Sequence, residues 1–116
     1  MKKFILMTTL GVFLAMGFSA CQPAVETPES VVERFLNLMA EDDIDAAMEL
    51  GTAETVEILE QWKTEGFNLY KDNVITDVDC EETEEDHAQC RFMADGHEAM
   101  IEAVKVDGEW RVYMEK

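Results

Sequence analysis

The feature that most constrains the fold of this chain is a change in the spacing of its apolar residues near residue 73. Before that point, apolar side chains recur at steps of three and four residues, which is the pattern of helices with one buried face. After it, they alternate with polar side chains over four short segments, as in the strands of a half-buried sheet. Helices that precede strands, rather than alternating with them, predict an α+β domain.

Three helices are predicted in the first half of the domain. Thr27 supplies an N-cap hydroxyl, Pro28 suits the first helical position, and Glu29 lies near the positive end of the helix dipole. Asp42 and Asp43 offer caps for a second, short helix. The predicted helices are residues 28–41, a short helix that ends at Gly51, and a helix from Thr52 that Gly66 ends at a left-handed cap.

Four strands and three turns are predicted in the second half. The dipeptides Asp95-Gly96 and Asp107-Gly108 are hairpin signals, because both residue types accept the positive φ of tight turns. The strands are expected near residues 73–81, 87–94, 98–106 and 110–114. Consecutive strands joined by short turns indicate an antiparallel meander.

The pairing of the third predicted strand indicates a bend in the sheet. We expect Phe92 opposite Ala99 on one side of this strand, and Val106 opposite Trp110 on the other. The first register places Ala99 and the other odd-numbered residues of the strand on the buried face. The second places Val106 and the other even-numbered residues there. We therefore expect a β-bulge near Ala103, which would curve the sheet.

The first twenty residues differ from the rest of the chain. They contain Lys2 and Lys3, then a mostly apolar run over residues 4–18, and no acidic residue. This pattern is typical of a secretory signal peptide, and the run is shorter than the roughly 20 residues that span a bilayer. We therefore predict a signal peptide over residues 1–20 and export of the remaining chain.

The segment Phe18-Ser19-Ala20-Cys21 resembles the lipobox of bacterial lipoproteins, in which small residues precede a cysteine that is acylated and becomes the mature N-terminus. The resemblance implies that Cys21 is lipidated and contacts membrane lipid through its acyl chains, with residues 21–27 as a tether. Gln22, which is not an aspartate, implies the outer membrane if the host has two membranes. We expect a lipid-anchored protein of the cell envelope that faces the periplasm or the exterior.

Two cysteines remain in an exported chain, and this favours a disulfide. Cys80 and Cys90 both fall on the less charged face of their strands, and a hairpin folded around residues 84–86 places them opposite each other. The alternative is a metal site formed with His87 and His97, but this spacing matches no familiar zinc pattern. We therefore predict a disulfide between Cys80 and Cys90.

The charge of the predicted mature chain excludes one class of partner. Removing residues 1–20 leaves 96 residues with 26 acidic and seven basic side chains, a net charge near −19. Nucleic acid is therefore not expected as a partner, because contacting phosphates requires a basic face. Five of the six residues 81–86 are acidic, and we expect a solvated turn there. The alternative is an interaction scaffold whose acidic surface contacts an envelope protein.

Three motifs together resemble nuclear transport factor 2-like domains. They are Pro-x-x-Val-Val-x-x-Phe-Leu at residues 28–36, Asp-Ile-Asp-Ala-Ala at residues 43–47, and Val-Asp-Gly-Glu-Trp-Arg-Val at residues 106–112. More closely, the chain resembles small bacterial lipoproteins of unknown function that carry such a domain, and the resemblance covers residues 28–116. It implies N-terminal helices packed on the concave face of a curved four-stranded antiparallel meander, with a cone-shaped cavity between them.

Five aromatic residues are candidates for lining such a cavity between the third helix and the sheet. An aromatic lining suits an apolar or amphipathic small molecule, and the alternative is that the rings fill the core. The candidate ligand-binding residues are Trp62, Phe67, Tyr70, Phe92 and Trp110.

Some families that share the cone fold are enzymes of the ketosteroid isomerase-like or polyketide cyclase-like type, which transfer protons through pocket carboxylates, tyrosines or histidines. His87 and His97 lie next to predicted turns and are expected to face solvent. Tyr70 and Tyr113 could present a hydroxyl to a pocket, but the pattern places no base beside a nucleophile. We therefore predict no catalytic residue, no metal and no cofactor, and a non-enzymatic binding or envelope-accessory role.

Overall fold

The fold consists of three helices followed by one antiparallel sheet of four strands, as predicted. The computed structural model describes residues 26–115, so the predicted signal peptide and Cys21 lie outside the described residues. The strands follow one another across the sheet in chain order. The elements are α1 (Pro28–Ala40), α2 (Ile44–Met48), α3 (Ala53–Glu65), β1 (Ile75–Glu84), β2 (His87–Ala94), β3 (His97–Val106) and β4 (Glu109–Tyr113). Within residues 26–115, none of the helices has the length and apolar character needed to cross a bilayer.

The helix boundaries follow the predicted caps. The Thr27 hydroxyl accepts a hydrogen bond from the Ser30 amide at 3.1 Å, and Pro28 occupies the first turn of α1. Thr52 caps α3 in the same way, and Gly66 ends that helix with φ of 71°. Short polar side chains at N-caps satisfy amides that have no partner within the helix. Local chemistry alone therefore sets these helix ends.

Both Asp-Gly dipeptides form two-residue turns. The φ angles are 52° and 80° at Asp95 and Gly96, and 54° and 82° at Asp107 and Gly108. Positive φ at both central residues matches the twist of the flanking strands. In the first of these hairpins the register pairs Phe92 with Ala99, as predicted.

The register of the last hairpin differs from the prediction. Val106 pairs with Glu109 and not with Trp110, because the turn contains two residues where the prediction assumed three. No bulge near Ala103 is needed, and β3 pairs continuously with both of its neighbours. A shift of one residue reverses the faces of a strand. Val104 and Val106 therefore lie on the face of the sheet that points away from the core.

The irregularities of the sheet lie in β1 instead. The register between β1 and β2 shifts once between Thr76 and Asp79 and again between Glu82 and Glu84. Asp77, within the first shift, has φ of 57°. An extra residue in one strand increases the local twist and bends that strand. The expected distortion of the sheet is thus present, but in its first strand.

The core lies between α1 and one face of the sheet. Helix α1 packs on β1, β2 and β4, and five of its apolar side chains are completely buried. The sheet contributes alternate residues to this core, whereas the intervening residues of β2 and β3 are exposed or half-buried on the opposite face. The buried residues from the sheet are Ala88, Cys90, Phe92, Ile101, Ala103, Trp110 and Val112.

The connection between α2 and α3 is bound to the outer edge of β4. We call residues 50–52 the strap. The amide of Val112 donates to the carbonyl of Leu50 at 2.8 Å, and the amide of Thr52 donates to the carbonyl of Val112 at 2.9 Å. The strap therefore covers the edge of β4 and fixes the start of α3 beside it.

A buried hydroxyl completes this edge. Thr55 is fully buried, and its Oγ1 donates to the carbonyl of Val112 at 2.8 Å and accepts from the amide of Met114 at 2.9 Å. Thr52 Oγ1 lies 3.1 Å from Thr55 Oγ1. Thr52 is the donor in this contact, because the hydroxyl proton of Thr55 is already bonded to the carbonyl of Val112. Gly51 leaves room for this contact, because a Cβ there would lie 2.7 Å from Thr55 Cγ2. Every polar atom of this small network has a partner.

Candidate functional site

A groove of about 950 Å³ lies between the start of α3 and the outward face of β3 and β4. We call it the β4 groove. Its walls come from the α2–α3 connection on one side and from outward-facing strand residues on the other. The strap and the Thr55 hydroxyl hold these two walls together. The residues that matter most for its chemistry are Glu54, Val56, His87, Glu102, Val104 and Tyr113.

The apolar surface of the groove comes from both walls. Met48 and Val56 contribute from the helical side, and Val104 and Val106 contribute from β3. Val106 is 40% exposed, although β-branched apolar residues usually pack in the interior. These two valines reach the groove only because the Asp107-Gly108 turn has two residues. The turn length thus determines that the groove has an apolar wall.

Tyr113 lies on the polar side of the groove. Its hydroxyl donates to Glu115 Oε2 at 3.3 Å. Desolvation by neighbouring groups raises the pKa of the Tyr113 hydroxyl, and the negative charges of Glu115, Glu54 and Glu102 raise it further. The phenol therefore stays protonated at neutral pH and serves as a hydrogen-bond donor, not as a base.

The carboxylates of the groove are not neutralised by its cations. Arg111 donates from Nη1 to the carbonyl of Glu49 at 2.8 Å and from Nη2 to Glu109 at 3.1 Å. Lys105 Nζ lies 5.3 Å from the ring centroid of Trp110, a cation–π distance. Within residues 26–115, neither Glu54 nor Glu102 has a cationic partner. The groove consequently combines an apolar surface with uncompensated negative charge.

His87 borders the groove at the start of β2. Its Nδ1 is shielded from solvent and lies 3.5 Å from Glu84 Oε1, without the geometry of a hydrogen bond. His87 and Glu84 form an ion pair only when the imidazole is protonated. The rest of the ring is partly exposed. The prediction that His87 faces solvent is therefore correct for part of the side chain only.

The five aromatic candidates for ligand binding are distributed over the molecule. Trp62 and Phe67 form an edge-to-face pair with centroids 5.0 Å apart, and Tyr70 and Phe92 form a second pair at 5.9 Å. Trp110 is only 7% exposed and belongs to the core. None of the five lines the β4 groove.

Only one of the two aromatic pairs borders a pocket of its own. Trp62 and Phe67 lie beside a smaller pocket of about 390 Å³ near the start of α2, together with charged residues that include Asp42 and Lys71. Phe92 is completely buried, and burial raises the pKa of its neighbour Tyr70. The candidate set therefore divides between a surface pocket and the core.

The sequence pattern does not predict the outward-facing valines of the groove, because their position depends on the length of the last turn. The predicted pairing of Val106 with Trp110 requires three residues in the last turn and places Val106 on the core side of the sheet. The same two-residue geometry at both Asp-Gly dipeptides would have placed the valines outward. The strap on β4 has no such local signal, because its hydrogen bonds join residues about 60 positions apart.

The predicted disulfide is present. Cys80 and Cys90 are bonded and lie directly opposite each other in β1 and β2, with Cα atoms 3.9 Å apart. Bonded sulfurs offer no thiolate to a metal, so the alternative interpretation of these cysteines as metal ligands is wrong. Among residues 26–115, no three or more His, Cys, Asp or Glu side chains are grouped so that they could hold a metal ion.

Comparison with known proteins adds no family to this description. No protein-family model matches the chain, and no curated protein has significant sequence similarity to it. The resemblance to nuclear transport factor 2-like lipoproteins therefore stays a prediction from the motifs.

Proposed function

We propose that this chain is a lipid-anchored, non-enzymatic binding protein of the bacterial cell envelope and that the β4 groove is its binding site. The observation that carries the proposal is a groove of about 950 Å³ with an apolar surface and several polar groups. Small-molecule sites are typically concave, of this order of volume, and largely pre-formed.

The groove is a better candidate than the interior of the proposed cone. Phe35, Leu36, Met39 and Phe92 are completely buried between α1 and the sheet. Large side chains that fill the interior leave little volume for a ligand, because protein cores pack as densely as organic crystals. We retain the nuclear transport factor 2-like relationship as part of the proposal, with ligand binding at the sheet edge and not inside the cone.

The proposed anchor would keep the groove close to the membrane. Acylated Cys21 is separated from α1 by a tether of residues 22–27, which spans at most about 25 Å when fully extended. More than one acyl chain is needed for stable anchoring, and a triacylated cysteine meets that requirement. In a host with two membranes, the proposed location is the outer membrane.

Two alternatives from the sequence lead to different expectations. An interaction scaffold would use the acidic residues 81–86, which form the end of β1 and the turn after it and are all exposed. A proton-transfer enzyme would use His87 or Tyr113, which both border the groove. The raised pKa of Tyr113 disfavours a role for this phenol as a base.

Native mass spectrometry of the protein purified from its own host tests the proposal. We expect a bound small molecule on the wild-type chain and its loss from Val104→Trp, which fills the groove. Met100→Trp is the matched control, because Met100 lies on the same strand and outward face but is exposed outside the groove. A ligand that stays on Val104→Trp, or a wild-type chain with no ligand, would contradict the proposal.

A further inference from the structure

We infer that the β4 groove selects organic cations with an apolar body, such as an alkyl or aryl ammonium. This inference rests on the proposed function and adds the chemical class of the ligand. It follows from the charge of the groove together with its apolar surface.

The charge argument concerns Glu54 and Glu102. Both carboxylates line the groove next to Tyr113, and neither has a cationic partner within residues 26–115. Arg111 bonds to the backbone carbonyl of Glu49 and to the carboxylate of Glu109, and Lys105 lies over the ring of Trp110, so neither cation is paired with Glu54 or Glu102. A cationic head group would neutralise a negative site that the protein itself leaves unpaired.

The same carboxylates act against other ligand classes. A carboxylate or phosphate ligand would meet like charges at Glu54 and Glu102. A neutral ligand would remove water from these carboxylates without supplying a counter-charge, which is unfavourable. Selectivity therefore arises from repulsion and desolvation as well as from attraction.

The apolar argument concerns the body of the ligand. Val56 and Val104 lie on opposite walls of the groove, and Val106 and Met48 extend its apolar surface. Glu81 and Glu82, at the end of β1, do not line this groove and provide a comparison for its charge. The groove thus combines an apolar surface with carboxylates that have no ion pair, and this combination favours an amphipathic cation.

Three probes with one body and different head groups test the inference. They are 2-phenylethyltrimethylammonium, 2-phenylethanol and 3-phenylpropionate, titrated by NMR into the acylated mature protein in phosphatidylcholine nanodiscs, with empty nanodiscs as a blank. We expect the cation to bind at least about tenfold more tightly than the alcohol, and the anion to bind most weakly. Raising the salt concentration should weaken binding of the cation more than binding of the alcohol, because screening reduces the attraction between the cation and the carboxylates.

A pair of variants with equal changes in net charge separates the groove from the general acidity of the chain. Glu54→Gln/Glu102→Gln should lower the affinity for the cation by about tenfold, whereas Glu81→Gln/Glu82→Gln at the end of β1 should change it by less than about twofold. Glu102→Gln alone gives an intermediate loss, and it serves as the test if the double variant does not fold.

The outcomes distinguish this inference from the proposed function. If the alcohol binds in the groove as tightly as the cation, or if both charge variants behave alike, the inference is overturned and the groove remains a binding site. If none of the three probes binds in the groove and the host protein carries no ligand, the inference and the proposed function both fail.

Discussion

The hairpins at the two edges of the sheet are held in place by different means. The β1–β2 hairpin has a covalent link between Cys80 and Cys90, and a carboxylate oxygen of Glu29 accepts a hydrogen bond from the Cys80 amide at 3.4 Å. The β3–β4 hairpin has no disulfide and is held by the strap and by the buried hydroxyl of Thr55. One edge is fixed by a bond within the sheet, the other by hydrogen bonds to the helical layer.

The two edges contribute differently to stability and to ligand binding. At the first edge, two bulges and a row of acidic residues discourage pairing with another strand, which is how natural sheets protect their edges. At the second edge, the strap already occupies the amide and carbonyl of Val112 in β4 and positions α3 beside the groove. We therefore expect loss of the Cys80–Cys90 bridge to alter stability alone, and changes at the strap to alter stability and binding together.

The largest effect is expected from removing the disulfide. Cys80→Ala/Cys90→Ala should lower the free energy of unfolding by about 3 kcal/mol, because the bridge restricts the unfolded chain. Urea denaturation measures this loss. Affinity for 2-phenylethyltrimethylammonium should remain within about twofold of wild type, since neither cysteine lines the groove. A large loss of affinity in the folded variant would contradict the separation of the two hairpins.

A smaller loss of stability, with a larger loss of binding, is expected at the strap. Thr55→Val keeps the shape of the side chain but leaves the carbonyl of Val112 and the amide of Met114 without their side-chain partner. The free energy of unfolding should fall by about 2 kcal/mol, because the Met114 amide loses its acceptor and the Val112 carbonyl keeps only the Thr52 amide as a donor. Probe affinity should fall in parallel because the two walls of the groove lose their connection.

Thr64→Val is the matched control for this prediction. Thr64 lies on the same helix and is exposed, with its hydroxyl bonded only to the carbonyl of Glu60. Its replacement should change stability by less than about 0.5 kcal/mol. Equal effects at Thr55 and Thr64 would show that the buried network does not hold the edge.

The two Asp-Gly turns allow a comparison of two variants with the same expected loss of stability. Gly96→Ala and Gly108→Ala each force a side chain into positive φ where the surrounding space is open, and each should destabilise the fold by about 1 kcal/mol. Only Gly108→Ala should weaken probe binding, because the turn at Gly108 sets the register that brings Val104 to the groove. Equal loss of binding in both variants would contradict the role assigned to this register.

The smallest effect concerns the two tyrosines and pH. Burial raises the pKa of Tyr70, whereas carboxylates add to the effect of desolvation at Tyr113. A raised pKa in the folded chain favours the protonated phenol, so this stabilisation is complete below about pH 10 and is lost as the pH rises through the folded value. NMR titration of the ring carbons should show that added salt lowers the pKa of Tyr113 and leaves that of Tyr70 unchanged. A salt response at Tyr70 alone would contradict the electrostatic description of the groove.

The sequence predicted the features that depend on neighbouring residues. The Thr27 and Thr52 caps, the Gly66 stop and the Asp-Gly turns are local, and the structure places them as expected. The cysteine pairing was also accessible, because a short hairpin leaves few registers. Element order therefore followed from local chemistry, whereas the face of Val106 did not.

The groove did not follow from local chemistry. Its apolar wall depends on a register that changes with a single residue in a turn, and its helical wall depends on the strap. Nothing in residues 50–52 indicates pairing with Val112, because these hydrogen bonds form only after the sheet has placed β4 beside them. The five aromatic candidates do not line the groove, whose apolar surface comes from valine and methionine side chains.

The most direct test of the central claim is to map probe binding on the valine methyl groups by NMR. On addition of 2-phenylethyltrimethylammonium to the acylated protein, we expect shifts at Val56, Val104 and Val106 and none at Val78 on β1. Perturbations confined to Val78 and its neighbours, or no perturbation at the three groove valines, would contradict the assignment of binding to the β4 edge.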